Sequence, residues 1–178
     1  KKGNAAAERV FEIIEYDKYS NDGTRNIEIE EFKDKSITQY IHLAAVTDTN
    51  WCINYPKKCF LFNAEFSKKF YHAASRAKVK RFVFVSSSHV YDQSYKLPFD
   101  IDSPLKPTSI YGKSKLLAEE NLLSKKNYNT QLSIARVFSV TGDNTRDHFL
   151  YQGLHRRASN QDFSLIPGLE NTRDFLEA

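Results

Sequence analysis

Tyr111 and Lys115 stand four residues apart at the head of an apolar-periodic segment, and three consecutive hydroxyls, Ser86, Ser87 and Ser88, follow the β-branched and aromatic run Phe82 to Val85. That run has the composition of a short buried strand. Helical positions four apart share a face, so the Lys115 ammonium can lie beside the Tyr111 phenol. A neighbouring positive charge favours phenolate over phenol and lowers the tyrosine pKa from its usual value near ~10. A tyrosine poised to accept a proton, with a serine hydroxyl at a strand end, is an arrangement for oxidising or reducing an alcohol. The pair alone is a weak signal in a chain with 10 Tyr, and a tyrosine on a helix surface is the plain alternative.

The order of the surrounding residues is more specific than the pair. A strand, the serine triplet, Val90-Tyr91, an acidic and Pro-containing loop, Tyr111-Gly112-Lys113-Ser114-Lys115 and Ala118-Glu119 follow one another. From about Ile13 to Phe175 the chain resembles the extended short-chain dehydrogenase/reductase family, the NAD-dependent sugar-nucleotide epimerases and dehydratases of the UDP-glucose 4-epimerase type. The resemblance implies an α/β fold. Residues 1–143 would form a Rossmann-type doubly wound parallel sheet, and residues 144–178 the beginning of a small substrate-binding lobe. It implies a catalytic set of Ser87, Tyr111 and Lys115, with Ser88 as the alternative serine. It also implies NAD as cofactor, a nucleotide sugar as substrate, and a homodimer joined by a four-helix contact between the helices after Asn63 and after Tyr111.

The remaining segments fit that frame in turn. Glu8 to Tyr16 carries Val10, Phe11, Ile13 and Ile14 and runs into Asp17. An apolar strand ending in a carboxylate suits the second strand of a Rossmann unit, where the acid bonds the adenine ribose hydroxyls. By resemblance Asp17 takes that role and favours NAD over NADP; a plain strand-end Asp is the other reading. A Gly-rich turn should precede this strand and cradle the pyrophosphate. The six Gly, at positions 3, 23, 112, 142, 153 and 168, do not form one. The acidic stretch from Ile27 to Asp34 looks too short for a third strand and its helix.

Ile37 to Ala45 reads as a buried strand ending in small residues. In the family such a strand end passes under the cofactor, which gives Leu43, Ala44, Ala45, Val46 and Thr47 as its lining. His42 reads as a sheet histidine rather than a catalytic one. Asn63 to Lys78 has helical spacing through Phe66, Phe70, Ala73, Ala74 and Ala77. Asn63 is either its N-cap or a contact to the nicotinamide ribose, or both. The helix after Tyr111 should bury Leu116, Leu117, Ala118 and Leu122, with Glu119 and Glu120 facing solvent.

Thr130 to Val140 reads as a further buried strand. It resembles the family's Arg-x-Phe-Asn-x-x-Gly-Pro, matched by Arg136, Phe138 and Gly142, with Ser139 in place of Asn and Asp143 in place of Pro. This makes Phe138 a cofactor neighbour and Ser139 a substrate neighbour. His148 to Arg157 reads as a helix of the substrate lobe. Arg173 lies in a resemblance to the family's Arg-Asp-Phe element, where a guanidinium would clamp the nucleotide diphosphate.

Composition narrows the class of function. The formal charge of +4 is dispersed, so nothing points to nucleic acid, and no apolar run approaches the ~18 residues of a membrane span. No charged n-region followed by an apolar h-region is read, so a secretory signal is not expected. Cys52 and Cys59 have no His at metal-ligand spacing, so no metal site is expected; they read as reduced structural thiols of a cytoplasmic protein, with a disulfide as the other possibility. The absence of Met, even at the first position, reads as an incomplete chain.

The function expected is therefore NAD-dependent epimerisation of a nucleotide sugar through transient oxidation at C4, in carbohydrate biosynthesis. A 4,6-dehydratase and a 4-keto reductase of the same family are the near alternatives. The dehydratases carry Asp-Glu directly after the catalytic hydroxyl, where this chain has Ser88 and His89. A non-catalytic NAD- or sugar-nucleotide-binding protein on the same scaffold is the more distant one.

Overall fold

The computed structural model describes residues 37–125, 128–141, 150–161 and 175–177. The expected strand ending at Asp17 and the acidic stretch after it lie outside these residues, as do Gly142, Asp143 and Arg173. The chain divides into two units, Lys1–Arg136 and Val137–Ala178.

In the first unit, strands β1 (Gln39–His42), β2 (Arg81–Ser87) and β3 (Gln131–Val137) form one sheet in that order. β1 and β2 run parallel, with Gln39 opposite Arg81 and His42 opposite Phe84. β1 is shorter than the apolar run suggests. The chain leaves the sheet at Leu43, and Leu43 to Asp48 make an open loop into α1 (Thr49–Asn54), capped by Asp48. A second helical stretch then begins at Pro56, a residue pre-set for a first helical turn. It runs as α2 (Pro56–Phe60), a π-helical turn (Leu61–Glu65) and α3 (Phe66–Arg76). Asn63 therefore lies inside a helix and does not cap one. Helix α3 ends without glycine: Lys78 takes the left-handed conformation, and the Lys78 and Val79 amides donate to the Ser75 and Ala74 carbonyls, each at 3.0 Å.

Alternation along β2 puts Phe82 and Phe84 on one face, and both are fully buried. Tyr71 and Ala74 of α3 pack there, together with Ala118 and Leu122 of α4 (Ile110–Leu123). The helices on either side of β2 in sequence thus cover the same face of the sheet. Leu116 and Leu117, expected in the core with Ala118, are only half-buried.

The cysteines depart from the thiol reading. The chain breaks between α1 and α2 at Tyr55-Pro56 and folds the two short helices together, leaving the Cys52 and Cys59 Cα atoms 5.2 Å apart and the residues paired as a disulfide. That separation lies inside the range a disulfide requires.

His42 closes β1 beneath the rings of Phe70, Phe82 and Phe84, with centroids 5.0, 5.8 and 6.0 Å away. Its Nε2 lies 3.0 Å from Ser67 Oγ, while its buried Nδ1 has no hydrogen-bond partner. Burial, reinforced by the positive charge of Lys115, lowers its pKa to about 3 from 6.5. The fold accepts only the neutral ring, whereas the unfolded chain takes up a proton below about pH 6.5. Stability from this group is therefore complete above pH 6.5 and is lost as pH falls toward 3, at a limiting slope of about 1.4 kcal/mol per pH unit. Urea unfolding at pH 6.5 and 4.5 should show a loss of about 2–3 kcal/mol in the parent that is absent in His42→Leu. Equal losses in both proteins would remove His42 as the cause.

In the second unit, β4 (Ser139–Thr141) pairs in parallel with β5 (Phe175–Glu177), and α5 (Leu150–Ser159) occupies the place of the expected helix. The apolar run from Thr130 to Val140 is thus two strands, β3 and β4. No helix among the described residues is long and apolar enough to cross a membrane.

Candidate active site

The serine triplet sits where β2 stops being a strand. Ser87 keeps extended geometry and its hydroxyl caps the single 3-10 turn Ser88–Val90, accepting from the His89 amide at 3.3 Å. Ser86 and Ser87 are buried and Ser88 half-buried. On the other side, Ser109 starts α4 by accepting from the Gly112 amide at 3.0 Å, which places Tyr111 in the first helical turn. The Ser87 hydroxyl lies close enough to the Tyr111 phenol to favour its charged form. The His89 ring stands edge-on to Tyr111, with centroids 5.6 Å apart.

Gly112 makes this approach possible. A Cβ there would run into the His89 carbonyl oxygen and come within 2.9 Å of the Pro107 side chain. Gly112→Ala should therefore push the head of α4 away from the serine turn, destabilising the protein by about 1–3 kcal/mol in chemical unfolding. Unchanged stability would mean that the two backbones yield without cost.

Lys115 follows Tyr111 one turn along, on the buried face of α4, as its spacing requires. Its ammonium, however, turns toward the strand. Nζ donates to the Val85 carbonyl at 2.7 Å and lies 4.2 Å from the centre of the Phe84 ring. Burial lowers its pKa to about 8 from 10.5, against a raising effect from Glu119. The consequence for Tyr111 is opposite to the sequence expectation. Burial raises its pKa above the usual value of 10.0, the nearby Ser87 hydroxyl only partly opposing it, and the Lys115 ammonium does not offset it. Spacing put the two side chains on one face, but the ammonium's hydrogen bond goes to a strand carbonyl.

Glu119, expected to face solvent, is 1% exposed. It accepts from the Ser86 hydroxyl at 2.5 Å and forms a two-pronged ion pair with Arg136, whose Nη2 and Nε lie 2.9 and 3.2 Å from Oε2. Arg136 also donates to the Tyr91 hydroxyl and the Ile101 carbonyl, both at 3.4 Å. The helix can afford a carboxylate on its buried face because strand β3 brings a guanidinium to it.

Asn63 is fully buried and acts on the loop after β1. Its amide accepts from the Val46 N–H at 2.8 Å and donates to the Val46 carbonyl at 3.0 Å and to Ser114 Oγ at 2.9 Å. The π-helical turn, a feature frequent at functional sites, sets this side chain in place. Leu43, Ala44 and Thr47 of the same loop are exposed and Ala45 is half-buried. Because β1 and β2 are parallel, this loop and the serine turn leave the sheet at the same end, where open α/β sheets place their ligands. Among the described residues no cluster of His, Cys, Asp and Glu is arranged to hold a metal ion.

Ser87, Tyr111 and Lys115 are thus brought together, with Ser88 beside them and Asn63 behind the open loop. Phe138 is exposed and Ser139 is half-buried at the start of β4, in the second unit. Asp17 and Arg173 lie outside the described residues. Sequence reasoning missed Glu119, Ser86 and the Asn63–Val46 clamp. The signal for Glu119 was available, since it continues the 111, 115 spacing by one more turn and an arginine follows in the next strand.

The family model for the NAD dependent epimerase/dehydratase family matches residues 4–178. The chain is 30% identical over 111 residues to UDP-glucose 4-epimerase of Lactobacillus helveticus, a match covering 62% of this chain and 34% of that protein. It is 32% identical over 88 residues to dTDP-D-glucose 4,6-dehydratase of Homo sapiens, covering 49% of this chain and 25% of that one. Among solved structures, MoeE5 in complex with UDP-glucuronic acid and NAD superposes with a TM-score of 0.70 at 26% identity, over 79% of this chain and 48% of that chain. The matched stretch therefore spans between a quarter and a half of the length of these proteins. The sheet with its covering helices is Rossmann-like.

Proposed function

The chain belongs to the NAD-dependent epimerase/dehydratase family, and from that premise we propose that it acts in the NAD-dependent epimerisation of a nucleoside-diphosphate sugar at C4. One observation carries the reading: the Ser87 hydroxyl, at the end of β2, lies close enough to the Tyr111 phenol to act on its charge, with the buried Lys115 one helical turn behind. Two hydroxyls that face each other at the end of one strand can both reach one substrate oxygen.

The residues present fit the nicotinamide half of NAD. The loop after β1 is open, its Ala44 and Ala45 allow close backbone approach, and Asn63 fixes it through Val46. Leu43, Ala44, Ala45 and Thr47 would line the dinucleotide with Tyr111, Lys115 and Phe138, and Asp17 would bond the adenine ribose. When bound, NAD supplies the acceptor that takes hydride from the sugar carbon and later returns it. Tyr111 takes the proton of the C4 hydroxyl and gives it back, and Ser87 hydrogen-bonds the same oxygen. Because burial holds the free protein's Tyr111 as a phenol, this role requires its pKa to fall once substrate and cofactor are bound, with Lys115 as the cation that would lower it. Ser88, Ser139 and Arg173 are assigned to the substrate, and a homodimer through the helices after Asn63 and Tyr111 completes the reading.

Incubation with UDP-hexoses and NAD tests it. The expected result is the C4 epimer with no net change in NADH. A 4-keto-6-deoxy product would replace the reading with the dehydratase one. Turnover confined to an added keto sugar with NAD(P)H would make the protein a reductase. NAD or sugar-nucleotide binding without turnover would leave a binding protein.

A further inference from the structure

Helix α4 and the end of β2 are joined by a ladder in which each rung ties one helical turn to one strand residue. Tyr111 faces the Ser87 hydroxyl, Lys115 donates to the Val85 carbonyl, and Glu119 accepts from the Ser86 hydroxyl. The third rung belongs to none of the groups assigned above to substrate or cofactor, yet it is the most buried, and the ion pair with Arg136 extends it to β3. We infer that Glu119 is a positioning residue of this site: it registers the helix bearing Tyr111 and Lys115 against the strand bearing Ser87, and its carboxylate is the counter-charge to the buried Lys115 ammonium.

The charges around Lys115 support this assignment. From β1 comes His42, neutral under its phenylalanine roof. From β2 come only the Phe84 ring and the Val85 carbonyl. From α4 come Tyr111, which burial keeps as a phenol, and Glu119. From β3 comes Arg136, whose guanidinium is already engaged by Glu119. Among the described residues Glu119, one turn along the same buried face of α4, is thus the negative group acting on an ammonium that burial otherwise drives toward the neutral amine. An uncharged Lys115 could neither lower the Tyr111 pKa once substrate and cofactor are bound nor attract an anionic ligand.

The inference rests on the proposed activity for its catalytic consequence, but its direct test does not. Side-chain NMR of protein labelled with 15N-lysine reads the Lys115 titration, the resonance being assigned by its loss in Lys115→Met. The midpoint should fall by about one pH unit in Glu119→Gln, a tenfold smaller protonated fraction in the alkaline range, and return most of the way in Glu119→Asp. In turnover, the alkaline limb of the kcat profile should move down by the same amount, with KM for the nucleotide sugar within about twofold. Because Glu119→Gln leaves the buried Arg136 without its counter-charge, Glu119→Gln/Arg136→Gln provides a second background in which the midpoint should also fall. An unmoved Lys115 midpoint in either folded variant overturns the role given to Glu119, whatever the enzyme does. A moved midpoint in a protein that turns over no nucleotide sugar would keep that role and overturn the proposed activity.

Discussion

Replacing Tyr111 with Phe is expected to lower kcat by about 10³-fold, within the range contributed by a positioned proton-transfer group, while nucleotide-sugar affinity stays within about twofold. The substitution removes one oxygen and little else. The ring keeps its edge-on packing against His89, and Ser87 keeps its hydrogen bond from the His89 amide. Burial already disfavours the charged form of this phenol, so its removal leaves no buried charge unpaired and folding stability should change by less than about 1 kcal/mol. Steady-state rates with calorimetric binding of the nucleotide sugar separate these effects. Turnover within tenfold of the parent would take Tyr111 out of the chemistry. Lost binding at unchanged stability would recast it as a substrate contact.

How far the site could be read from the sequence depends on the range of the interaction. The pairing of Tyr111 with Lys115 on one face, and the strand running into Ser87, are local and periodic, and both were legible. The direction of the Lys115 ammonium was not. Its hydrogen bond goes to a backbone carbonyl 30 positions away, and a carbonyl leaves no trace in residue type. Glu119 was misread because a carboxylate on a helix is usually solvated, and only the arrival of Arg136 from β3 makes its burial tolerable. Asn63 was read as a helix start because Asn favours caps, whereas the helix begins at Pro56 and the amide clamps Val46 across the fold. The disulfide likewise depends on the chain break at Tyr55-Pro56, which folds α1 against α2.

Lys115→Met should separate function from stability in opposite directions. The unfolded chain holds the Lys115 proton with a pKa of 10.5 and the folded protein with one of about 8, so between these values the unfolded state binds more protons. Stability from this group is therefore complete above pH 10.5 and is lost as pH falls through 8. At pH 7 the buried ammonium costs on the order of 3 kcal/mol. Methionine fills the same volume over the Phe84 ring without charge, and Arg136 still pairs Glu119. What it gives up is the hydrogen bond to the Val85 carbonyl, about 1–2 kcal/mol. The net expectation is a variant about 1–2 kcal/mol more stable than the parent at pH 7, with the gain disappearing as pH approaches 10.5. Its turnover should fall by about 10²-fold or more, because the positive charge assigned to lower the Tyr111 pKa in the substrate complex is gone. Chemical unfolding across pH 7 to 10 with parallel rate measurements reads both arms. A variant less stable than the parent at pH 7 would make the ammonium a structural tether of β2 to α4. A more stable variant with full activity would show that the reaction does not use the charge.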